Sequence, residues 1–157
     1  MSERTGAAGP RSRYLPPVLG VPVPLASGVD RPFHEGLAAH RLRLQRCGGC
    51  GGWQWPAEVL CYRCRSFDLG WEDVPAEGSL FSWTRVWHPA REGLEAAVPY
   101  LAAVVEIPRA GGIRLVGNLL GDPARAPVIG EPLHGVFEDH PARPGGYALL
   151  HWQPGQD

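Results

Sequence analysis

Hydrophobic and polar positions divide the chain into stretches of different period. Residues 1–29 scatter Leu15, Val18, Leu19, Val21, Val23 and Leu25 among prolines at 10, 16, 17, 22 and 24. Proline lacks the amide a helix needs and clashes with the preceding turn, so regular helix is excluded there. An extended arm lying along another surface is expected, with an unstructured tail as the competing reading. From Asp30 to Leu44 the apolar spacing becomes helical: Phe33, Leu37 and Leu44 fall near one face, with Ala38 beside them. Asp30 is placed as N-cap, and Pro32 sits early, where its missing N–H costs little. The helix is expected to give way near His40, because residues 41–46 alternate as a strand leading into Cys47.

From Leu69 onward the pattern is that of strands. Large and polar residues alternate over 79–87, and residues 100–107 form a nearly continuous apolar run. Arg109-Ala110-Gly111-Gly112 reads as a hairpin turn into a strand at 113–120. Residues 128–137 and 147–152 supply two more. Five short strands separated by Gly and Pro predict a small closed or partly closed barrel. The expected organisation is an extended arm (1–29), a helix with lead-in strand (30–46), a cysteine-bearing segment (47–70) and a barrel (71–153).

Composition sharpens this picture. The 21 Gly and 17 Pro favour short strands and turns over long helices. Net charge is -1, without the positive excess of a typical nucleic-acid binder. All 15 basic residues are Arg; seven stand against three acids in residues 1–46, two against five in 47–77, and six against eight in 78–157. No run of about 20 apolar residues suggests a membrane span. With no charged-then-apolar leader pattern, a reducing, cytoplasmic setting is expected, and paired cysteines there read as metal ligands before disulfides.

The four cysteines form Cys47-x2-Cys50 and Cys61-x2-Cys64. Two residues between cysteines let both sulfurs reach one ion, and two such knuckles close a tetrahedron. Four thiolates leave no open position, so the reading is a structural Zn2+, preferred over iron. A segment of this size cannot hold itself by apolar burial alone, whereas metal ligation stabilises such a fold by on the order of 10 kcal/mol.

Catalytic groups are harder to find. None of the six histidines stands in a ligand pattern with a carboxylate, His88 before Pro89 reads as a turn residue, and no cysteine lies outside the knuckles. Ser66, Ser79 and Ser82 lack a nucleophile-elbow motif. No catalytic residue is assigned, and a binding or accessory role is expected. Trp71 and Trp83 read as core. Trp53 and Trp55 are less easily buried in so small a ribbon and are candidate anchors for a partner. Arg41, Arg43, Arg46, Arg63 and Arg65 are either a solvated face or a set of phosphate contacts.

Several segments together resemble a known family, a domain of unknown function that joins a rubredoxin-like zinc ribbon to an OB-fold. They are Pro22-Val23-Pro24, Arg31-Pro32-Phe33-His34-Glu35-Gly36, Leu42–Cys50, Cys61-Tyr62-Arg63-Cys64, Asp68-Leu69-Gly70-Trp71, Gly78–Trp83, Arg114–Leu119 and Ile129–Leu133. His34 stands where the family usually has Trp. The resemblance implies a mainly β fold: arm and short helix, four-cysteine zinc ribbon, five-stranded OB-fold barrel. It further implies an accessory subunit for a thiolase-like or lipid-transfer-type aldolase acting on acyl-CoA, as in steroid side-chain degradation, with a hot-dog enoyl-CoA hydratase as a second associate. Activity would then belong to a hetero-oligomer and not to this chain alone. Phe33, Arg43, Arg46, Trp53, Trp55 and Arg63 are the candidate partner or CoA contacts. The alternatives are a single-stranded nucleic-acid module, which the charge disfavours, and an acyl-CoA thioesterase or hydratase, for which no acid–base pair is in view.

Overall fold

The computed structural model describes residues 27–155 except 91, 94 and 141–145. The arm expected over 1–29 lies outside the described residues apart from its last three. One helix, α1 (Arg31–Ala38), opens the described chain. It ends at Ala38, next to the break expected near His40. His40 takes a left-handed φ of 54° and ends the helix, after which strand β1 (Leu42–Cys47) begins. Asp30 does not cap α1 with its side chain. Its carboxylate instead meets His34 Nε2 at 3.1 Å, one turn along.

β1 is the centre of a three-stranded sheet, flanked by β2 (Trp53–Gln54) and β3 (Leu69–Val74), both antiparallel. β3 pairs with β1 from Leu42↔Val74 to Cys47↔Leu69. Leu42 and Leu44 are buried and join Phe33 and Leu37 of α1 in one apolar cluster with the barrel interior.

The barrel is closed in the order β4-β5-β6-β8-β7. Its strands are β4 (Glu77–Val86), β5 (Tyr100–Ile107), β6 (Ile113–Leu119), β7 (Pro132–His140) and β8 (Tyr147–Pro154). Burial in β5 alternates strictly, placing Leu101, Ala103, Val105 and Ile107 inside, as period-two geometry requires. A parallel pairing of β6 with β8 at Leu119↔Trp152 closes the ring. The buried Trp152 indole fills its centre, and a Cβ on Gly117 would lie 2.8 Å from that ring, which explains a glycine inside a strand. The turn between β5 and β6 is a 3-10 turn (Pro108–Ala110) followed by Gly111 and Gly112 at φ 63° and 80°, a region glycine enters without steric cost.

One expected strand begins later than its apolar run suggests. Residues 128–131 form a tight turn, with the Glu131 amide on the Val128 carbonyl at 3.0 Å, and β7 starts at Pro132. Glu131 accepts a bidentate fork from Arg125 at 2.8 and 2.9 Å, which fixes this loop and holds the Glu131 carboxyl below its usual range. Arg85 fastens the same loop from β4 by donating to the carbonyls of Pro123, Ala124 and Arg125.

Candidate metal centre and interaction surface

The knuckles are two copies of one turn. In the first, the Gly51 amide donates to the Cys47 carbonyl at 2.8 Å; in the second, the Arg65 amide donates to the Cys61 carbonyl at 2.9 Å. Both turns end in the left-handed region, Gly51 at φ 70° and Arg65 at φ 61°. The turns bring all four sulfurs within 4.8 Å of one another. Cys47 and Cys64 Sγ are 3.5 Å apart, and Cys50 and Cys61 Sγ 3.7 Å. A tetrahedron with metal–sulfur distances of about 2.3 Å has edges of about 3.8 Å, so the pocket fits zinc. Cys47 and Cys61 are buried, while Cys50 and Cys64 face outward.

The thiols are unequal before a metal arrives. The Cys64 and Arg63 amides point at the Cys61 sulfur and help bring its pKa down to about 6. Cys64 accepts the Ser66 amide, which lowers it, but its crowding by Cys47, Cys50 and Cys61 raises it to about 12. Metal uptake therefore releases protons and weakens as pH falls. With four ligands in place the ion would organise the ribbon and leave no coordination site for a substrate.

The second knuckle is held by a polar clasp that the sequence does not announce. Gln45 and Gln54 are buried on adjacent strands, and Gln54 Nε2 donates to Gln45 Oε1 at 2.7 Å. Gln45 Nε2 donates to the Glu58 carbonyl at 2.9 Å, and Gln45 Oε1 accepts the Glu58 amide at 3.0 Å. Gln54 Oε1 accepts the Tyr62 amide at 3.3 Å. Two side chains thus replace the third strand edge that the 55–62 loop lacks. The only hint in the sequence is a glutamine at an inward strand position.

The residues read as partner contacts separate into two groups. Phe33 is buried, with Trp55 4.3 Å away ring to ring. Trp53 lies under the Arg46 guanidinium at 5.2 Å and against the Gly111 turn of the barrel. Phe33, Trp53 and Trp55 therefore join helix, ribbon and barrel. Arg46 forks onto Glu72 at 3.0 and 3.1 Å, and Arg43 meets Asp73 at 3.0 Å, so both charges are balanced within the chain. Arg63 differs: it lies over the Tyr62 ring, near the Cys50 and Cys61 sulfurs, and has no carboxylate partner among the described residues. Around it the ribbon exposes Val59, Tyr62 and Phe67, which sequence reasoning passed over because they flank cysteines without any periodicity.

A second polar group sits on the barrel. Glu138 is fully buried, with His151 Nε2 at 2.9 Å and His140 Nε2 at 3.0 Å. Burial lowers the His151 pKa despite that carboxylate. Glu138 and His151 are buried, and His140 is nearly so.

Comparison with known proteins agrees with this architecture. Residues 34–70 match the family described as the ChsH2 rubredoxin-like zinc ribbon domain, and residues 71–138 the ChsH2 C-terminal OB-fold domain. The alpha subunit of a 3-oxo-4,17-pregnadiene-20-carboxyl-CoA hydratase of Mycobacterium tuberculosis is 32% identical over 123 residues. That match takes in 78% of this chain but only 36% of the hydratase subunit, so the chain corresponds to about a third of that relative. A solved chain of the Ltp2-ChsH2(DUF35) aldolase is 30% identical with a TM-score of 0.67, the match covering 80% of this chain and 93% of that one. A DUF35 protein of unknown function from Sulfolobus solfataricus shares the fold at TM-score 0.56 and 18% identity, over 82% of this chain and 87% of that one.

Proposed function

Because the chain belongs to the DUF35 family of ChsH2-type zinc ribbons joined to an OB-fold, we propose that it is a non-catalytic accessory subunit of a thiolase-fold aldolase or thiolase acting on acyl-CoA. Steroid side-chain or related lipid degradation in the cytoplasm is the setting this reading favours, with structural Zn2+ in the four-cysteine site. The observation that carries it is the match at 30% identity to nearly the whole chain, 93%, of a protein solved as part of an Ltp2-ChsH2(DUF35) aldolase. A hot-dog hydratase is a second candidate associate, in view of the hydratase alpha subunit among the relatives.

Single-stranded nucleic-acid binding is the competing use of this architecture. On OB-folds that use lies on the outer face of the second and third strands, here β5 and β6, and relies on stacking aromatics and free cations. That face carries Ala102, Val104, Glu106, Arg114, Val116 and Asn118, and its one cation, Arg114, is paired to Glu106 at 3.1 Å. The face does not suit a polyanion.

Co-expression tests the proposal. A thiolase-fold lipid-transfer-type aldolase should co-purify with the full chain in fixed ratio, and its acyl-CoA cleavage should fall at least tenfold without it. An aldolase equally active and equally soluble alone would refute the accessory role.

A further inference from the structure

The strongest unexplained feature is the tip of the second zinc knuckle. Its turn matches the first knuckle's, yet Arg65 stands where the first has Gly51, and both are left-handed. A side chain with a Cβ is disfavoured there, and glycine would relieve the clash. Arg65 is exposed and has no carboxylate partner among the described residues, and neither has Arg63 two residues earlier. The contrast with the same domain is sharp, since Arg41, Arg43 and Arg46 all carry an acidic partner. Beside these two arginines in the chain stand Tyr62 and Phe67, 62% and 79% exposed; Arg63 lies over the Tyr62 ring and feels the Cys50 and Cys61 sulfurs. The Tyr62 hydroxyl donates to the Trp53 carbonyl at 3.2 Å and its amide to Gln54, so this ring is held in place before any ligand arrives.

Aromatic anchors flanked by arginines without carboxylate partners on a held turn have the composition of an interface centre, where Tyr and Arg dominate and pre-organisation limits the entropy lost on binding. We propose that the Tyr62–Phe67 knuckle tip is the docking surface for an acidic protein patch, whose carboxylates pair with Arg63 and Arg65 while an apolar ledge receives Phe67. This rests on the accessory-subunit reading above and names the surface through which the aldolase partner is held. The occupant is a protein and not a phosphate ligand alone, because Val59, Tyr62 and Phe67 together expose apolar surface on the same ribbon as the charge. Such a partner would also cover the outward sulfurs of Cys50 and Cys64.

The experiment uses the full chain, zinc-loaded, co-expressed with the aldolase, and compares wild type with three variants. R63E/R65E should weaken the complex about 30-fold or more and abolish its salt dependence. R65G removes charge while relieving the left-handed strain; it should weaken the complex several-fold yet hold zinc at least as firmly, a pair of opposite effects that a purely structural role does not produce. R109E, a charge reversal on the barrel half the size of the double one, should leave binding unaltered. Zinc transfer to a chromogenic chelator should slow in the wild-type complex relative to the free chain. If wild type binds and R63E/R65E binds equally well with zinc intact, this inference falls and the accessory reading stands. If wild type does not bind the aldolase, both fall. If the variants lose affinity for single-stranded DNA but keep the aldolase, the occupant is misassigned and the proposal is overturned.

Discussion

Replacing Gln54 by Leu tests whether the buried glutamine clasp positions the second knuckle. Leu is close in size and leaves no cavity worth counting, so the effect isolates hydrogen bonding. Three bonds vanish: the 2.7 Å bond to Gln45, the long 3.4 Å bond to the Leu60 carbonyl and the 3.3 Å bond from the Tyr62 amide. The first is the strong one, and stranding a buried polar atom costs about 1–3 kcal/mol. Gln45 Oε1 keeps the Glu58 amide at 3.0 Å, so its loss is partial. Tyr62 is exposed, so water recovers some of the bond to its amide. The expected destabilisation is about 2 kcal/mol. Removing both partners, Gln45→Leu with Gln54→Leu, should cost less than the sum of the single changes, because neither is then left stranded. Urea unfolding of the zinc-loaded chain measures the first quantity, and zinc transfer to a competing chelator should accelerate in the single variant. A Gln54→Leu chain with unchanged urea midpoint and unchanged zinc transfer would refute the clasp as the element that places Cys61 and Cys64.

Two further outcomes follow from the same geometry. Cys61→Ser, or zinc removal, should loosen residues 47–68 while barrel and helix persist, because Leu42 and Leu44 anchor the far end of β1 in the common core; hydrogen exchange should show protection lost at Cys47–Leu69 pairing and kept at Leu42–Val74, and uniform loss would contradict it. Stability should also fall on the acid side in two windows. His151 has its pKa lowered on folding from 6.5, so below about 6.5 the unfolded chain binds the extra proton and stability declines. Glu131 has its carboxyl lowered from 4.5 by Arg125, a contribution present above that value and lost as pH falls below it. Arg125→Met should remove the lower window alone in pH-dependent urea titrations, and an unchanged profile would count against it.

Much of this protein was legible before folding. Two Cys-x2-Cys pairs at that spacing admit few arrangements, because the turn that joins two thiolates to one ion is local. The five barrel strands were legible for a related reason, since alternation such as that of residues 100–107 records one buried face directly. Family-specific segments such as Cys61-Tyr62-Arg63-Cys64 added the pairing of ribbon and barrel. What only the tertiary structure decided concerns contacts between distant residues. β1 finds its long partner in β3, from Leu42↔Val74 to Cys47↔Leu69, a pairing that no local pattern announces. Trp53 and Trp55, which a ribbon alone would expose, are covered by the barrel turn and by α1. Arg43 and Arg46 meet acids about thirty residues away, while Arg63 and Arg65 have no carboxylate partner among the described residues. Ion pairing and burial across such separations are set by where strands meet, so composition names the charges and only the fold says which of them find an acidic partner.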